Sequence, residues 1–193
     1  MDRNFNAPPL TTIYCQRTGT LFDVANPDPT KVRVADLAWN LSGVKRYGAA
    51  LLQHYDVAQH SLHVATRLPR RLHLAGLLHD GAEAYLGDVP TYVKRMLGEY
   101  VRLEAAVQWA IEAAFELELS DADRTLIHQV DVAIRMDEMA VLCPEHPRFD
   151  PRRVTGAKPI RPLERAESNR MYMYFAGRLL QANHRAMWEK HFG

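Results

Sequence analysis

The segment Arg71–Tyr85 constrains the fold most. Its first half, Leu72, Leu74, Ala75, Leu77 and Leu78, is apolar on nearly every side before the chain reaches His79 and Asp80. A helix of that kind is stable only when other elements surround it, so the segment predicts a central, buried helix. Amphipathic patterns on both sides provide the surroundings. Val34, Leu37, Ala38, Leu41 and Val44 recur at the spacing of one helical face. A second helix is predicted from Asp56, a natural N-cap, through Val57, Ser61, Val64 and Ala65. Glu99–Leu119 predicts a long helix with Val101, Ala105, Val107, Ala110, Ile111, Ala114 and Phe115 facing inward. Ser120, with Asp121 and Asp123 behind it, predicts a cap and an acidic first turn for a helix reaching about Leu142. A last helix is predicted from about Leu163 to Trp188.

Two stretches do not read as helix. Within residues 1–30, Ile13–Arg17 and Thr20–Val24 flank Thr18-Gly19, the pattern of a small hairpin set among the breakers Pro8-Pro9 and Pro27-Asp28-Pro29. Pro144 to Pro162 is a Pro- and Arg-rich connection, and loops of that length are usually functional or mobile. The 193 residues therefore read as one all-α domain, a compact helical bundle with a small N-terminal β-hairpin. Its parts are an extension over 1–30, a core over 31–142, the Pro/Arg loop over 143–162 and a C-terminal helix over 163–193.

Charge narrows the partners. Lys and Arg number 24 against 23 Asp and Glu, a net charge of +1, so no global basic field points to a nucleic-acid polymer. A phosphate-bearing small molecule needs only a local cluster of cations. The two cysteines, Cys15 and Cys143, are too few and too far apart for a disulfide framework or a thiolate zinc site, which favours a reducing compartment. Met1-Asp2-Arg3-Asn4 is charged without an apolar stretch behind it, and no run approaches a membrane span. A soluble, cytoplasmic protein without a membrane partner is expected.

The informative residues are polar ones in apolar settings. His79-Asp80 ends the buried run, and a carboxylate buried without a partner costs several kcal/mol, so such an Asp is paired or bound to metal. His79 and Glu83 are four apart and share a helical face, with Glu83 one turn beyond the pair. His60 stands in Val57-Ala58-Gln59-His60-Ser61-Leu62 and Asp131 in Leu126-Ile127-His128-Gln129-Val130-Asp131. Two imidazoles and two carboxylates suit one divalent transition ion, Co, Mn, Zn, Fe or Ni, rather than an all-oxygen Mg or Ca site. Four protein ligands leave positions on an octahedral ion for water and a phosphate oxygen. Taken singly, each residue has an ordinary alternative: a satisfied core histidine for His60, a surface pair with Arg135 for Asp131. The joint order is what distinguishes them.

That order, His60, then His79-Asp80, then Asp131, resembles the HD-domain phosphohydrolases. Closer still is the similarity to the bacterial 5′-deoxynucleotidase branch and its phage relatives, which include dATP triphosphohydrolases. The stretches that carry it are Arg46-Tyr47-Gly48, Tyr55–Ser61, Leu77–Glu83, Gly87–Lys94 and Val130-Asp131 through Glu138. The resemblance implies an HD-type bundle with His60, His79, Asp80 and Asp131 as metal ligands. It implies Glu83 as the residue orienting or activating the attacking water, with Asp88 a second candidate acid or base. Lys94 and Arg46 are implied to hold phosphate oxygens, and Tyr47 to stack near base or sugar. Ordinary alternatives stand beside these: helix-dipole pairing for Arg46, core packing for Tyr47, and an N-cap for Asp88. His128 stands where relatives commonly have a lysine, which offers either a pH-dependent phosphate contact or a solvent-facing ring. Gly48-Ala49-Ala50 replaces the polar run expected after an Arg-aromatic pair.

Three functions compete at this point. One is a 5′-deoxynucleotidase releasing phosphate from deoxynucleoside monophosphates. Another is a dNTP triphosphohydrolase, which needs more cations. The third is a metal-stabilised binding module. All four ligands and Glu83 are present, which places the module last. The small deoxynucleotide is the expected partner, and a homo-oligomer the expected assembly.

Overall fold

In the computed structural model, which describes residues 8–183 and 185–192, the chain is mostly helical with one two-stranded hairpin. The charged stretch Met1-Asp2-Arg3-Asn4 lies outside the described residues. β1 (Thr12–Cys15) and β2 (Thr20–Asp23) pair antiparallel, Cys15 opposite Thr20 and Thr12 opposite Asp23, around the expected turn. The hairpin is fastened to the helices, because Phe22 is fully buried and stacks on Tyr85 with ring centroids 4.0 Å apart.

α1 (Val34–Leu41) buries Val34, Leu37, Ala38 and Leu41, the face the periodicity predicts. α2 (Val57–Arg67) opens on Asp56, whose carboxylate accepts from the Gln59 amide at 2.9 Å. That side-chain cap satisfies an N–H the helix cannot.

The central segment departs from expectation. In place of one helix over Arg71–Tyr85, a 3-10 turn (Arg70–Leu72) leads into α3 (His73–Leu78), and α4 (Glu83–Leu86) follows after a break. Between them the amides of Gly81, Glu83 and Ala84 donate to carbonyls three residues back, at 2.9, 3.1 and 3.1 Å. This is 3-10 spacing, so His79 and Asp80 lie on a tightened turn. Leu74, Ala75, Leu77 and Leu78 are buried as predicted.

After the one-turn α5 (Thr91–Lys94), α6 (Gly98–Ala114) corrects a second expectation. Val107, Ala110, Ile111 and Ala114 face inward, but Val101 is 45% exposed and Ala105 is exposed too. The cover over the first half of α6 is α5, too short to bury any residue of its own. The helix stops before Leu119 because Glu116 turns left-handed, φ 52°. α7 (Asp121–Leu142) starts on a capping box between Ser120 and Asp123. The following connection is pinned down: Asp137 accepts from the amides of Thr155 and Gly156 at 2.7 and 3.3 Å, and the Leu163 amide donates to Gln59 Oε1 at 2.7 Å. The predicted last helix is two, α8 (Arg165–Asn183) and α9 (Arg185–Phe192). Among the described residues, no helix is long and apolar enough to cross a membrane, and Cys15 and Cys143 are both free.

Two packing features place the site. Val64, Leu68, Leu72, Ala75, Ile127 and Ile134 form one apolar cluster joining α2, the turn before α3, α3 and α7. α3 also approaches α2 so closely at Gly76 that a Cβ there would lie 2.5 Å from Leu68 Cδ1 and 2.9 Å from Ala65 Cα. Overpacking of this kind costs about 1–3 kcal/mol. Gly76→Ala is therefore expected to lose about that much unfolding free energy, read as a lower urea midpoint at unchanged slope. Gly98→Ala, at a helix position with no neighbour within 4 Å of the added Cβ, should leave it equal or higher. Equal midpoints for wild type and Gly76→Ala would refute the close-approach argument.

Candidate metal centre

Four side chains from three elements converge. His60 comes from α2, His79 and Asp80 from the tightened turn, and Asp131 from α7. His60 Nε2 is 3.1 Å from Asp131 Oδ1 and 3.6 Å from Asp80 Oδ2, and His79 Nε2 is 3.2 Å from Asp80 Oδ2. Ligand atoms of His60, His79 and Asp131 all lie within 4.8 Å of one another. The four residues expected as ligands are therefore together.

The far side of each ring decides where its proton sits. His60 Nδ1 lies 2.6 Å from Glu138 Oε1, and His79 Nδ1 lies 2.8 Å from the Gly76 carbonyl. Both partners only accept, so both Nδ1 atoms carry a proton and donate it. That leaves each Nε2 aimed at the carboxylates of Asp80 and Asp131. Neither buried Nε2 makes a well-aligned hydrogen bond; each has only carboxylate oxygens at 3.1–3.6 Å, an arrangement that a bound cation would complete. Burial and the Arg46 guanidinium lower the His60 pKa, but Glu138 and Asp131 outweigh them and raise it to about 9. A proton and a metal ion thus compete for the same nitrogen.

Glu138 is the residue of the candidate site that the residue-by-residue reading missed. It is fully buried, and it accepts from Tyr47 at 2.8 Å, Tyr55 at 3.0 Å, Arg46 Nη2 at 3.4 Å and His60. Burial opposes its charge, yet Arg46 and His60 hold its carboxyl well below the usual carboxylate range. Its signal in the sequence is spacing: Glu138 follows Asp131 by two helical turns, so one helix face presents a candidate ligand and the carboxylate that accepts from the ring of another candidate ligand.

The other expected residues fall around this centre. Arg46 is buried, with Nη1 3.7 Å from Asp80 Oδ2 and Nη2 on Glu138. Tyr47 turns its hydroxyl inward to Glu138 and adopts φ 58°, a left-handed conformation that is strained for a tyrosine. Lys94 bridges Glu83 at 3.3 Å and Glu104 at 2.5 Å. Burial, then Asp80 and Asp88, push the Glu83 carboxyl up to about 9 in spite of Lys94. Asp88 is raised as well, chiefly by burial. It does not cap α5, whose N-cap is Pro90 with no side-chain bond. His128 is largely exposed, its Nδ1 4.0 Å from Asp131 Oδ2. Asp131 pairs with His60 rather than Arg135.

A cleft of about 290 Å³ reaches this cluster. His79, Asp80, His128 and Asp131 line one part; Leu117, Leu119 and Ile127 give it apolar wall; Gln108, Glu112 and Arg124 complete it. Arg124 holds Glu112 with two bonds, 3.0 and 2.6 Å.

No protein-family model matches the chain. Among curated proteins, it is 32% identical over 96 residues to the uncharacterized protein YfdR of Escherichia coli strain K12, covering 50% of this chain and 53% of that protein. It is 34% identical over 110 residues to an uncharacterized protein of Rhodobacter capsulatus, covering 52% of this chain and 56% of the relative. The chain spans about half the length of the curated relatives it matches.

Adding Co(II) to metal-free protein is expected to raise its thermal midpoint, by about 2.7 kcal/mol of stability once free ion exceeds Kd a hundredfold. His60→Ala and Asp131→Ala should abolish the shift. Metal analysis showing full occupancy in Asp80→Ala would remove Asp80 from the ligand set.

Proposed function

We propose that the chain is a metal-dependent phosphohydrolase of the HD type, acting on 5′-deoxynucleoside monophosphates to release inorganic phosphate. The observation that carries this reading is the pair of imidazoles whose Nδ1 protons are committed to Glu138 and Gly76 while both Nε2 atoms face Asp80 and Asp131 beside a cleft. A divalent transition ion held by His60, His79, Asp80 and Asp131 would supply Lewis-acid polarisation of a phosphoryl oxygen and a water of lowered pKa.

The chain's own groups do the remaining work. Glu83 Oε2 is buried without a partner, and Glu83 is far more basic than an ordinary carboxylate. Such a group takes a proton from the attacking water near neutral pH only once positive charge beside Asp80 offsets both its burial and the neighbouring carboxylates, so that it is ionised. The water oxygen bonds to phosphorus as the ester oxygen leaves, and the leaving oxygen gains a proton, for which Asp88 is the second acid. Lys94 holds Glu83, and Arg46 holds Asp80. Leu117, Leu119 and Ile127 suit the uncharged part of the ester.

Cation supply favours the monophosphate over a triphosphate. Arg46, Lys94 and Arg124 are each paired with carboxylates already. Arg148, Arg152 and Arg153 do not line the cleft. A triphosphate brings charge that needs further partners. The preference for deoxy over ribo substrates rests on exclusion of a 2′-hydroxyl by close packing of Tyr47 or a neighbouring apolar residue against the sugar, together with the family resemblance.

The test is product analysis with metal-loaded protein on the four dNMPs, their ribo counterparts and the four dNTPs. Phosphate release from dNMPs is expected; intact triphosphate from dATP with dAMP untouched would reverse the ranking, and no phosphorus product from any substrate would sink the reading. Glu83→Gln should keep Co(II) and lose ~10²–10⁴-fold in turnover. Its metal-free form should also show a pH signature. Folded wild type keeps the Glu83 proton up to about 9, whereas the unfolded chain ionises near 4.5, so that stability is lost as pH rises between the two. The amide has no proton to lose, so Glu83→Gln gains on wild type across that window. Parallel thermal-midpoint profiles would place the buried proton elsewhere.

A further inference from the structure

In an unbroken helix the Ala82 amide donates to the Leu78 carbonyl, four residues back. Here Ala82 N–H donates to Gln108 Oε1 at 3.1 Å, and Gln108 Nε2 donates to the Leu78 carbonyl at 2.9 Å. One side-chain amide from α6 stands where that main-chain bond would close: it accepts from the Ala82 amide and is a second donor to the Leu78 carbonyl, which also accepts from the Gly81 amide at 2.9 Å. A primary amide is suited to this, since it carries donor and acceptor on a single planar group. Its orientation is set by its neighbours: Nε2 also lies 3.5 Å from Glu112 Oε1, which Arg124 holds in place. A flipped amide would set its oxygen against a carbonyl and a carboxylate. Insertion of a side chain into the helical ladder is a recognised cause of a break, and it accounts for the end of α3 at Leu78.

The residues spanned by the insertion are His79, Asp80 and Gly81. The turn is tight on the same side, because a Cβ on Gly81 would lie 2.9 Å from the Leu78 carbonyl and 3.0 Å from Ile111 Cδ1. Gln108 and Ile111, three apart on α6, therefore bear on the turn together. Closing the Ala82–Leu78 bond would draw these two residues together and carry His79 and Asp80 with them. Asp80 Oδ2 meets His60 Nε2 at 3.6 Å, and the His79 ligand atom lies within 4.8 Å of those of His60 and Asp131, so such a shift would disturb both approaches.

We infer that Gln108 is a positioning residue of the metal centre, holding open the turn that presents His79 and Asp80 to His60 and Asp131. The consequence for metal rests on the proposed reading of this site; the insertion itself does not. Loss of groups that orient metal ligands typically costs 10–100-fold in metal affinity.

Gln108→Met keeps the length and helix preference of the side chain but removes both hydrogen bonds. Gln108→Glu keeps the acceptor for Ala82 and removes the donor to Leu78. Three readouts are compared with wild type: thermal midpoint of the metal-free protein, Co(II) affinity with its d–d absorption, and, in metal-free protein, Ala82 amide exchange with the His79 ring ¹⁵N shifts. Gln108→Met should lose ~10–100-fold in Co(II) affinity and change the d–d band, with a metal-free midpoint equal to or above wild type because the backbone bond can close. Gln108→Glu should fall between the two. Wild-type Co(II) affinity and band shape in Gln108→Met would overturn the inference, as would a metal-free midpoint that falls while the band is unchanged. If wild type binds no Co(II), the metal reading fails, and the NMR readouts decide alone: altered Ala82 exchange and His79 shifts in Gln108→Met support the insertion, and unchanged ones overturn it.

Discussion

A carboxylate withdrawn wholly from water survives as an anion only if donors and positive charge are brought to it, and Glu138 imposes that condition on much of this protein. Arg46, Tyr47, Tyr55 and His60 all meet it. In doing so they tie the segment after α1 and the start of α2 to the C-terminal turns of α7. The same demand fixes the tautomer of His60, since an acceptor at Nδ1 obliges that nitrogen to keep its proton. Asp137, next along α7, gathers Thr155, Gly156 and Arg67. Adjacent carboxylates thus fasten the site on one side and the long connection on the other.

Around this anchor the molecule concentrates unfavourable features. Two imidazole nitrogens and one Glu83 oxygen are buried without a well-aligned hydrogen bond, Glu83 is held near like charges, and Tyr47 takes a backbone conformation ordinarily left to glycine or asparagine. Each lowers stability, and all lie within one layer of the four candidate ligands. A fold that tolerates such a cluster has the surplus of a well-packed interior, here Phe22 on Tyr85 and the apolar cluster between α2, α3 and α7. A concentration of such violations around one cluster is the pattern expected of a functional site, although Thr12 Oγ1, Asp36 Oδ1 and the Tyr85 hydroxyl are also buried without a hydrogen bond.

Much of the architecture was legible because its signals are local. The buried face of α1, the Asp56 cap and the Ser120 cap each depend on residues within one or two turns. His60, His79, Asp80 and Asp131 were legible as polar residues in apolar frames. Glu138 was not, because its helix is polar enough for a carboxylate to read as solvated surface; only the donors arriving from α2 and from Arg46-Tyr47-Gly48 make it interior. Val101 and Ala105 misled for the converse reason, since periodicity shows which residues share a face and says nothing of what covers it.

By itself, then, the sequence determined most of the helical segments, the caps at Asp56 and Ser120 and the four polar residues in apolar frames that the fold brings together. These follow from short-range spacing and from the cost of burying charge. The tertiary structure decided the break after Leu78, the tautomers of both histidines and the pairing of every cation near the site. Each of those depends on a partner distant in sequence or on a carbonyl that only the folded backbone presents: Gln108 for the turn, Glu138 for His60, Gly76 for His79. A hydrogen bond is directional and short-ranged, so its existence is settled only when packing has brought donor and acceptor within about 3 Å.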